Sequence, residues 1–293
     1  MKMLEYINWD PVHKFYLWQG FSIHIYSLMF IISFLLGWCI MKFIYKNEKI
    51  HQKYLDPLLI CTFFGTLLGA RLGQVFFYDF SYFSDHWIEA FFPVRESNHH
   101  SLLGLIKGYE FIGYRGLSSH GATIGIIFSS FFYSRKILKK SFIWICDRLC
   151  IAVSLSAVFI RIGNFFNSEI VGKPCNTNLP WGVKFVQMDT EYGEIVPRHP
   201  AQIYESISYL FIFLFLWYLY NKGKQIDNGF LSGIFFTFLW STRFILEFLK
   251  EPQGEEIFNF LSLNTGQWLS IPFIIFGLFL LNLLKIRKYF FSL

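Results

Sequence analysis

The chain has 293 residues and a formal net charge of +6. Only 16% of its residues are charged and 54% are hydrophobic, whereas a soluble domain normally carries about 25% charged residues. The mean hydropathy of +0.41 reflects the same excess of apolar residues. The composition therefore excludes an ordinary soluble domain and indicates an integral membrane protein.

Seven apolar segments approach or exceed the roughly 20 residues that a helix needs to cross the hydrocarbon core of a bilayer. They cover residues 21–45, 58–79, 119–134, 142–166, 201–220, 230–248 and 267–284. The third segment is the shortest. We therefore predict an all-α integral membrane protein with about seven transmembrane helices, organised as a single polytopic membrane domain over residues 1–293.

The basic residues of the connections predict the orientation of the chain. They cluster in 42–53, 135–140, 222–224 and 285–288, and in a seven-span arrangement all four clusters lie on one side. Lys and Arg accumulate in cytoplasmic connections, so we expect the N-terminus outside and the C-terminus in the cytoplasm. The first twenty residues do not resemble a cleavable signal peptide, and we expect none there.

Two long connections, about 80–118 and 167–200, then face outward. The second is rich in glycine and proline, and it contains the run Trp181-Gly182-Val183-Lys184-Phe185, which is typical of a strand or hairpin fragment. We predict a small extracytoplasmic lid or head segment there.

Four arginines interrupt the apolar segments, at Arg71, Arg148, Arg161 and Arg243. A guanidinium stays charged, and placing one near the bilayer centre costs roughly 2.5 kcal/mol or more. Such residues usually face a protein interior or a wet cavity and mark a functional site. Further polar residues accompany them, namely His120, Asn164, Glu169 and Glu247. The pattern indicates a polar chamber within the membrane, for which a phosphate group is the natural occupant.

Two helix faces carry the polar residues of the fourth and sixth segments. Arg161 and Asn164 are neighbours by the i, i+3 rule, and we expect Glu169 either on a flank nearer Arg161 than Asn164 or already past the helix end. Arg243 and Glu247 are spaced i, i+4 and can pair. Alternatively, Arg161 is an interfacial arginine that extends to lipid headgroups, and Arg243–Glu247 is a self-neutralised pair that lowers the cost of insertion.

Glycines and a histidine mark the second and third segments. Gly65, Gly69 and Gly73 form a groove on one helix face, which permits close helix packing. His120 starts the third segment beside Gly121 and can move protons near neutral pH. A capping or packing role for His120 is the alternative.

Other polar residues have simpler interpretations. Tyr26 at the outer end of the first segment is typical of an aromatic belt. Gln202 and Glu205 at the start of the fifth segment suit the dipole of a helix N-terminus. The five cysteines do not indicate a disulfide framework, and Cys146 and Cys150 are interpreted as small packing residues rather than as part of a metal set.

Taken together, these segments resemble bacterial prolipoprotein diacylglyceryl transferase over nearly the whole chain. Two motifs are highly specific: Arg161-Ile162-Gly163-Asn164-Phe165-Phe166-Asn167-Ser168-Glu169 and Arg198-His199-Pro200-Ala201-Gln202-Ile203-Tyr204-Glu205. Four shorter runs support them: Ile23-His24-Ile25-Tyr26, Gly69-Ala70-Arg71-Leu72-Gly73, Ser119-His120-Gly121 and Arg243-Phe244-Ile245-Leu246-Glu247-Phe248.

The resemblance implies an inner-membrane enzyme that moves the diacylglyceryl group of phosphatidylglycerol onto the lipobox cysteine thiol of a preprolipoprotein and releases glycerol phosphate. It implies no metal, nucleotide or other cofactor, and no nucleic acid partner. The functional positions of the family are matched by Tyr26, His120, Arg161, Asn164, Glu169, Gly172, Arg243 and Glu247.

From the residues and the resemblance together, we expect two arginines, Arg161 and Arg243, to hold the phosphodiester and stabilise the departing phosphate. His120, or a carboxylate near it, is the candidate acceptor of the thiol proton, because the thiolate is the nucleophile. The lipid-binding set implied by the family comprises Tyr26, Arg161, Asn164, Glu169, Gly172 and Glu247. We expect Glu169 and Glu247 to orient the arginines and Gly172 to let the lid close.

The chain departs from the family pattern in three places. Leu239 stands where the family usually has Tyr, Arg115-Gly116 replaces a glycine pair, and the usual Arg-Glu-Pro-Asp reads Lys250-Glu251-Pro252-Gln253. These departures affect the expected contacts of the site on the sixth segment.

Two other classes of protein fit part of the pattern. A transporter or flippase for an anionic lipid also needs intramembrane Arg and Glu, but no inverted repeat is visible, and its activity should survive His120→Ala. A non-catalytic envelope assembly protein would carry its function in the outer connections, yet the polar residues cluster within the apolar segments.

Overall fold

The computed structural model describes residues 6–12, 14–18, 21–102, 106–111, 117–175, 179–188, 193–222, 227–252 and 263–291. Three positions of the departures noted above, Arg115, Gly116 and Gln253, lie outside the described residues.

Helices dominate the described chain. They are α1 (Ile25–Asn47), α2 (Leu55–Phe77), α3 (Phe80–Asp85), α4 (Trp87–Phe91), α5 (Ser119–Phe132), α6 (Phe142–Phe166), α7 (Ala201–Lys222), α8 (Phe230–Leu246) and α9 (Thr265–Phe291). Short 3-10 turns at Gln52–Tyr54 and Glu247–Leu249 precede α2 and follow α8.

Six helices in the described ranges are long and apolar enough to cross a membrane. They correspond to every predicted segment except the third, because α5 has only 14 residues. A six-residue π-helix, Tyr133–Leu138, continues α5 directly. The count of seven crossing helices stays a prediction.

Small two-stranded sheets lie outside the long helices. Antiparallel pairs join β2 (Lys14–Trp18) to β3 (Phe21–His24) and β4 (Val94–Leu102) to β5 (Ile106–Phe111).

The third sheet confirms the predicted strand in 181–185. β6 (Val183–Phe185) pairs in parallel with β1 (Ile7–Trp9), and Ile7 lies opposite Val183. Because its partner is the N-terminal segment, β6 is not half of a local hairpin. Arg198 forms an antiparallel bridge with Val183.

The chain divides into two compact units. The first comprises Met1–Leu55, Ile143–Pro252 and Gly266–Leu293, and the second comprises Asp56–Phe142 and Gln253–Thr265. The single membrane domain predicted for residues 1–293 stays a prediction.

In the first unit, hydrogen bonds between long helices involve backbone groups. Ser33 of α1 donates to the Ser156 carbonyl of α6 at 3.1 Å, and Ser156 donates back to the Ser33 carbonyl at 2.8 Å. Buried Asp147 of α6 accepts the backbone N–H groups of Gly229 at 2.6 Å and Ser232 at 2.8 Å. Asp147 therefore satisfies the exposed donors at the start of α8.

In the second unit, the predicted glycine groove of α2 is confirmed, and its partner is α5. A Cβ added at Gly69 would lie 2.7 Å from the Gly125 Cα, and one added at Gly73 would lie 2.9 Å from the Gly121 nitrogen. The two backbones approach too closely for any larger residue at these positions.

Candidate active site

Glu205, in the second turn of α7, lies at the centre of a buried ion cluster. Its Oε2 is 2.9 Å from Arg161 Nε, and its Oε1 is 2.9 Å from Lys250 Nζ and 3.7 Å from Arg243 Nη1. The Tyr209 hydroxyl donates to Oε1 at 3.0 Å. The Glu205 carboxylate thus connects cations from α6, α8 and the segment after α8.

Glu247 is the second carboxylate of the cluster. Its Oε2 is 3.1 Å from Lys250 Nζ and 4.0 Å from Arg243 Nη2. The predicted pairing of Arg243 with Glu247 is therefore present, but the lysine makes the shorter contact. Gly266 in the first turn of α9 lies so close that an added Cβ would sit 2.7 Å from Glu247 Oε1.

A row of polar side chains continues from the cluster along the end of α6. Arg161 donates through Nη1 to Asn164 Oδ1 at 3.1 Å, which confirms that the two are neighbours. Asn164 donates through Nδ2 to Glu169 Oε1 at 2.7 Å. Of the two positions expected for Glu169, the one past the helix end is confirmed, because Glu169 follows the end of α6 and accepts from the Asn164 amide rather than from Arg161. Burial raises the pKa of the Glu169 carboxyl, and Asn164 and Arg161 oppose that shift.

Tyr26, in the first turn of α1, faces the same row. A Cβ added at Gly163 would lie 3.0 Å from the Tyr26 ring, so the glycine makes room for it. The Tyr26 hydroxyl interacts with the Asn164 side chain and lies within electrostatic range of Glu169 and Arg161. The tyrosine therefore belongs to the polar row and not to an outward-facing aromatic belt.

The segment after α6 is fixed by backbone hydrogen bonds at Gly172. Its N–H donates to the His199 carbonyl at 3.1 Å, and an added Cβ would lie 2.8 Å from the His199 Cβ. Glycine is required here by this close approach. The expectation that Gly172 lets a lid close stays a prediction.

His120 lies in the second unit, at the start of α5. It is fully buried, and its Nδ1 is 3.3 Å from the hydroxyl of Tyr78. Ser118 precedes it and accepts the Gly121 N–H as the N-cap of the helix. The capping role considered for His120 therefore belongs to Ser118.

Two of the four arginines have other partners, Arg148 within the first unit and Arg71 within the second. Arg148 forms a two-pronged contact with Glu48, with Nε 2.9 Å from Oε1 and Nη2 3.2 Å from Oε2. Arg71 donates to the backbone carbonyls of Ala90 and Glu89 and stacks 4.6 Å from the Phe83 ring centre. Arg161 and Arg243 share the Glu205 carboxylate, and the polar chamber within the membrane stays a prediction.

Comparison with known proteins identifies the family. The family model described as prolipoprotein diacylglyceryl transferase matches residues 13–283. The chain belongs to this family. It is thus an all-α, multi-pass bacterial membrane protein.

Relatives named phosphatidylglycerol–prolipoprotein diacylglyceryl transferase match almost end to end. One from Bacteroides fragilis is 40% identical over 278 residues, which cover 94% of this chain and 95% of the relative. One from Porphyromonas gingivalis is 36% identical, with 96% and 95% covered. One from Tolumonas auensis is 38% identical, with 89% and 91% covered.

In this transferase family member, sequence reasoning missed the central carboxylate. Glu205 was interpreted through the dipole of a helix N-terminus, but its position within the specific Arg198–Glu205 motif was a signal for a larger role. Lys250 was noticed only because it departs from the family pattern, and nothing in the sequence singled out Tyr209. Within the described residues, no group of three His, Cys, Asp or Glu side chains could hold a metal ion.

Proposed function

We propose that this chain transfers the diacylglyceryl group of phosphatidylglycerol to the thiol of the lipobox cysteine of a preprolipoprotein, which is the first step of lipoprotein maturation. The observation that carries the proposal is the buried cluster of Arg161, Arg243 and Lys250 around Glu205 in a member of this family. Buried cations in excess of carboxylates suit the phosphodiester of an anionic lipid.

The reaction exchanges one bond to the glycerol carbon for another. The thiolate sulfur attacks the diacylglyceryl carbon that carries the phosphate oxygen, so that a C–S bond forms. The C–O bond breaks, its electron pair stays on the phosphate oxygen, and glycerol phosphate leaves. The thiol proton passes to a base, because the thiolate is the nucleophile.

Arg161 and Arg243 are proposed to stabilise the charge that develops on the phosphate. A phosphodiester carries one negative charge, and the departing phosphomonoester carries up to two, so preorganised donors gain strength in the transition state. Arg161 contacts described residues through Nε and Nη1, which orients its remaining Nη2 edge. Both guanidiniums are held by the same carboxylate, Glu205.

The other predicted lipid-binding residues lie on two sides, some beside Arg161 and some beside Arg243. Asn164 connects Arg161 to Glu169, and Tyr26 lies beside Asn164. Glu247 contacts Arg243 and Lys250. We propose that Tyr26, Asn164 and Glu169 border the headgroup, and that Glu247, with Gly172 in the segment after α6, completes the site.

His120 is the proposed acceptor of the thiol proton. An imidazole accepts protons near neutral pH, and the Tyr78 hydroxyl 3.3 Å from Nδ1 restricts the orientation of the ring. This assignment also rests on the resemblance of Ser119-His120-Gly121 to the family motif.

We further propose that the chain resides in the bacterial inner membrane with its N-terminus outside and its C-terminus in the cytoplasm. The charge of the connections supports this orientation. Its partners are then phosphatidylglycerol, the lipobox segment and the bilayer, with no cofactor or nucleic acid, and residues 167–200 form the outer lid or head segment.

A reconstituted assay tests the reaction directly. Purified protein in detergent is mixed with phosphatidylglycerol and a lipobox peptide that contains one cysteine, and mass spectrometry follows the peptide. We expect a diacylglyceryl adduct on the cysteine peptide and glycerol phosphate in the supernatant. A Cys→Ser peptide and phosphatidylcholine in place of phosphatidylglycerol serve as controls.

An adduct on the cysteine peptide alone, dependent on phosphatidylglycerol, supports the transferase. No adduct from folded protein that still binds phosphatidylglycerol would overturn it in favour of lipid transport.

A further inference from the structure

Lys250 has an unusual environment for a lysine. It lies one residue beyond the 3-10 turn that follows α8, and its side chain is fully buried. Its ammonium is 2.9 Å from Glu205 Oε1 and 3.1 Å from Glu247 Oε2. Lysine is almost never buried completely unless it is paired. Here one ammonium pairs with carboxylates from two different elements.

Its backbone is fixed as firmly as its side chain. Lys250 forms an antiparallel bridge with Gly172, and the flanking Glu251 N–H donates to the Val171 carbonyl at 3.1 Å. Glu251 also pairs with Arg198 at 2.5 Å. The backbone position of Lys250 is therefore tied to the segment that carries Gly172.

The lysine makes shorter contacts with both carboxylates than Arg243 does. Glu205 Oε1 is 2.9 Å from Lys250 and 3.7 Å from Arg243. Glu247 Oε2 is 3.1 Å from Lys250 and 4.0 Å from Arg243. Arg161 also pairs with Glu205 at 2.9 Å, and of the other two cations the ammonium lies closer to both carboxylates than Arg243 does.

The charge balance depends on this residue. Arg161, Arg243 and Lys250 face Glu205 and Glu247, which leaves one net positive charge. Without Lys250 the two guanidiniums would balance the two carboxylates, and an anionic ligand would have to compete with both. Glu169 stays outside this count, since among the described hydrogen bonds it accepts from Asn164, which in turn accepts from Arg161.

We propose that Lys250 is a positioning residue of the transferase reaction: its ammonium holds Glu205 and Glu247, so that Arg161 and Arg243 are oriented for the phosphodiester. This inference rests on the proposed function. Lys250 stands where the family usually has arginine, and a compact ammonium reaches both oxygens as a point charge, whereas a guanidinium is a planar fork.

The test compares two substitutions in the reconstituted assay. Lys250→Met keeps the apolar stem and removes the charge, and we expect kcat/KM for phosphatidylglycerol to fall at least about tenfold, as when one buried charge partner is removed. Lys250→Arg restores the charge and should recover most of that loss. Lys222→Met, at the exposed end of α7, is the matched control and should behave like the unmodified protein.

A double variant separates positioning from simple loss of folding. In Lys250→Met, Glu247 is left to pair with Arg243, so Lys250→Met with Glu247→Gln should recover part of the lost activity. Retention of phosphatidylglycerol over phosphatidylcholine, measured by native mass spectrometry, should follow the same order. Unchanged kcat/KM in Lys250→Met, or no recovery in both Lys250→Arg and the double variant, would overturn the inference.

The unmodified protein in the same assay reports on the proposed function itself. If it forms the adduct and Lys250→Met forms it equally well, only the role of Lys250 fails. If the unmodified protein forms no adduct, the transferase proposal fails, and lipid retention still reports whether Lys250 shapes an anionic site.

Discussion

At the scale of single residues, the cluster depends on mutual compensation of buried charges. Glu205, which is 0% exposed, has cations at 2.9 Å, 2.9 Å and 3.7 Å. Removing one partner of a buried ion pair costs about 3–5 kcal/mol because the other charge stays buried without compensation. Substitutions that preserve charge are therefore more informative about catalysis here than alanine substitutions.

Arg243→Lys is such a substitution. We expect kcat to fall about 10²-fold, the usual consequence of losing one preorganised donor to a developing oxyanion. A lysine ammonium keeps the charge but cannot present a planar fork to the carboxylates and the phosphodiester together. The measurement is steady-state transfer to the lipobox peptide, with kcat and KM determined separately.

Arg148→Lys is the matched control, because Arg148 is also a buried arginine and its partner is Glu48. It should lower the midpoint of thermal unfolding in detergent but leave kcat unchanged. If Arg243→Lys keeps the full kcat, the reaction depends on the positive charge of Arg243 and not on the planar geometry of its guanidinium.

Residue-level prediction succeeded for contacts within one helix and failed for contacts between elements. The Arg161–Asn164 hydrogen bond follows from helical spacing alone. Glu205 meets Arg161 and Lys250 across 44 and 45 positions of sequence, and no periodicity encodes such a meeting. The resemblance supplied most of the site residues, yet neither Glu205 nor Lys250 was among them.

At the scale of elements, α2 and α5 are joined by glycine backbones rather than by side chains. A Cβ added at Gly121 would lie 2.6 Å from the Gly73 Cα, and one at Gly125 would lie 2.9 Å from the Gly69 Cα. Apolar side chains gain little by meeting in lipid, so close van der Waals packing of small residues drives association. This contact also holds the helix turn that carries His120.

Gly121→Ala should therefore destabilise the protein although alanine is the better helix former. A methyl group forced against backbone costs about 1–3 kcal/mol, whereas Gly→Ala in a helix ordinarily gains up to about 1 kcal/mol. We expect a lower midpoint of thermal unfolding in detergent for the purified variant.

Gly37→Ala in α1 is the control, since its added Cβ would lie 3.3 Å from the Ser156 hydroxyl, which needs to shift by only a few tenths of an ångström, a change small enough to keep its hydrogen bond to the Ser33 carbonyl. Its midpoint should change little or rise. An equal response of the two variants would contradict the backbone-contact argument.

Element prediction worked where one continuous apolar run makes one helix. The six helices long enough to cross a membrane overlap their predicted segments, with ends that agree to within about seven residues, since hydrophobic length alone decides them. The β1–β6 pairing could not be predicted, because it joins Ile7–Trp9 to Val183–Phe185 and three-residue strands carry almost no pattern. The short α5 also differs, because six of its following residues adopt π geometry.

At the scale of the whole chain, the number of crossings and the placement of charge constrain each other. α5 and the π-helix together form a continuous helical stretch from Ser119 to Leu138, whose 20 residues would span about 30 Å as an α-helix. If this stretch crosses, the basic residues at its end and just after it, in 135–140, lie on the same side as those between α1 and α2. If it does not, the cluster at 135–140 lies outside, against the charge rule.

Cysteine labelling decides between these arrangements. The starting variant has its five free cysteines replaced and keeps transfer activity. Single cysteines are then introduced into it, one at a time, by Ser84→Cys and Lys140→Cys. Both positions are exposed and belong to the second unit. A membrane-impermeant maleimide applied to intact spheroplasts should label the cysteine at 84 and not the one at 140, and permeabilised cells should label both. Labelling of both cysteines in intact spheroplasts would mean that α5 does not cross. Labelling of the cysteine at 140 alone would mean that the chain has the opposite orientation. The first pattern would make the number of crossings odd, as the charges between the helices require.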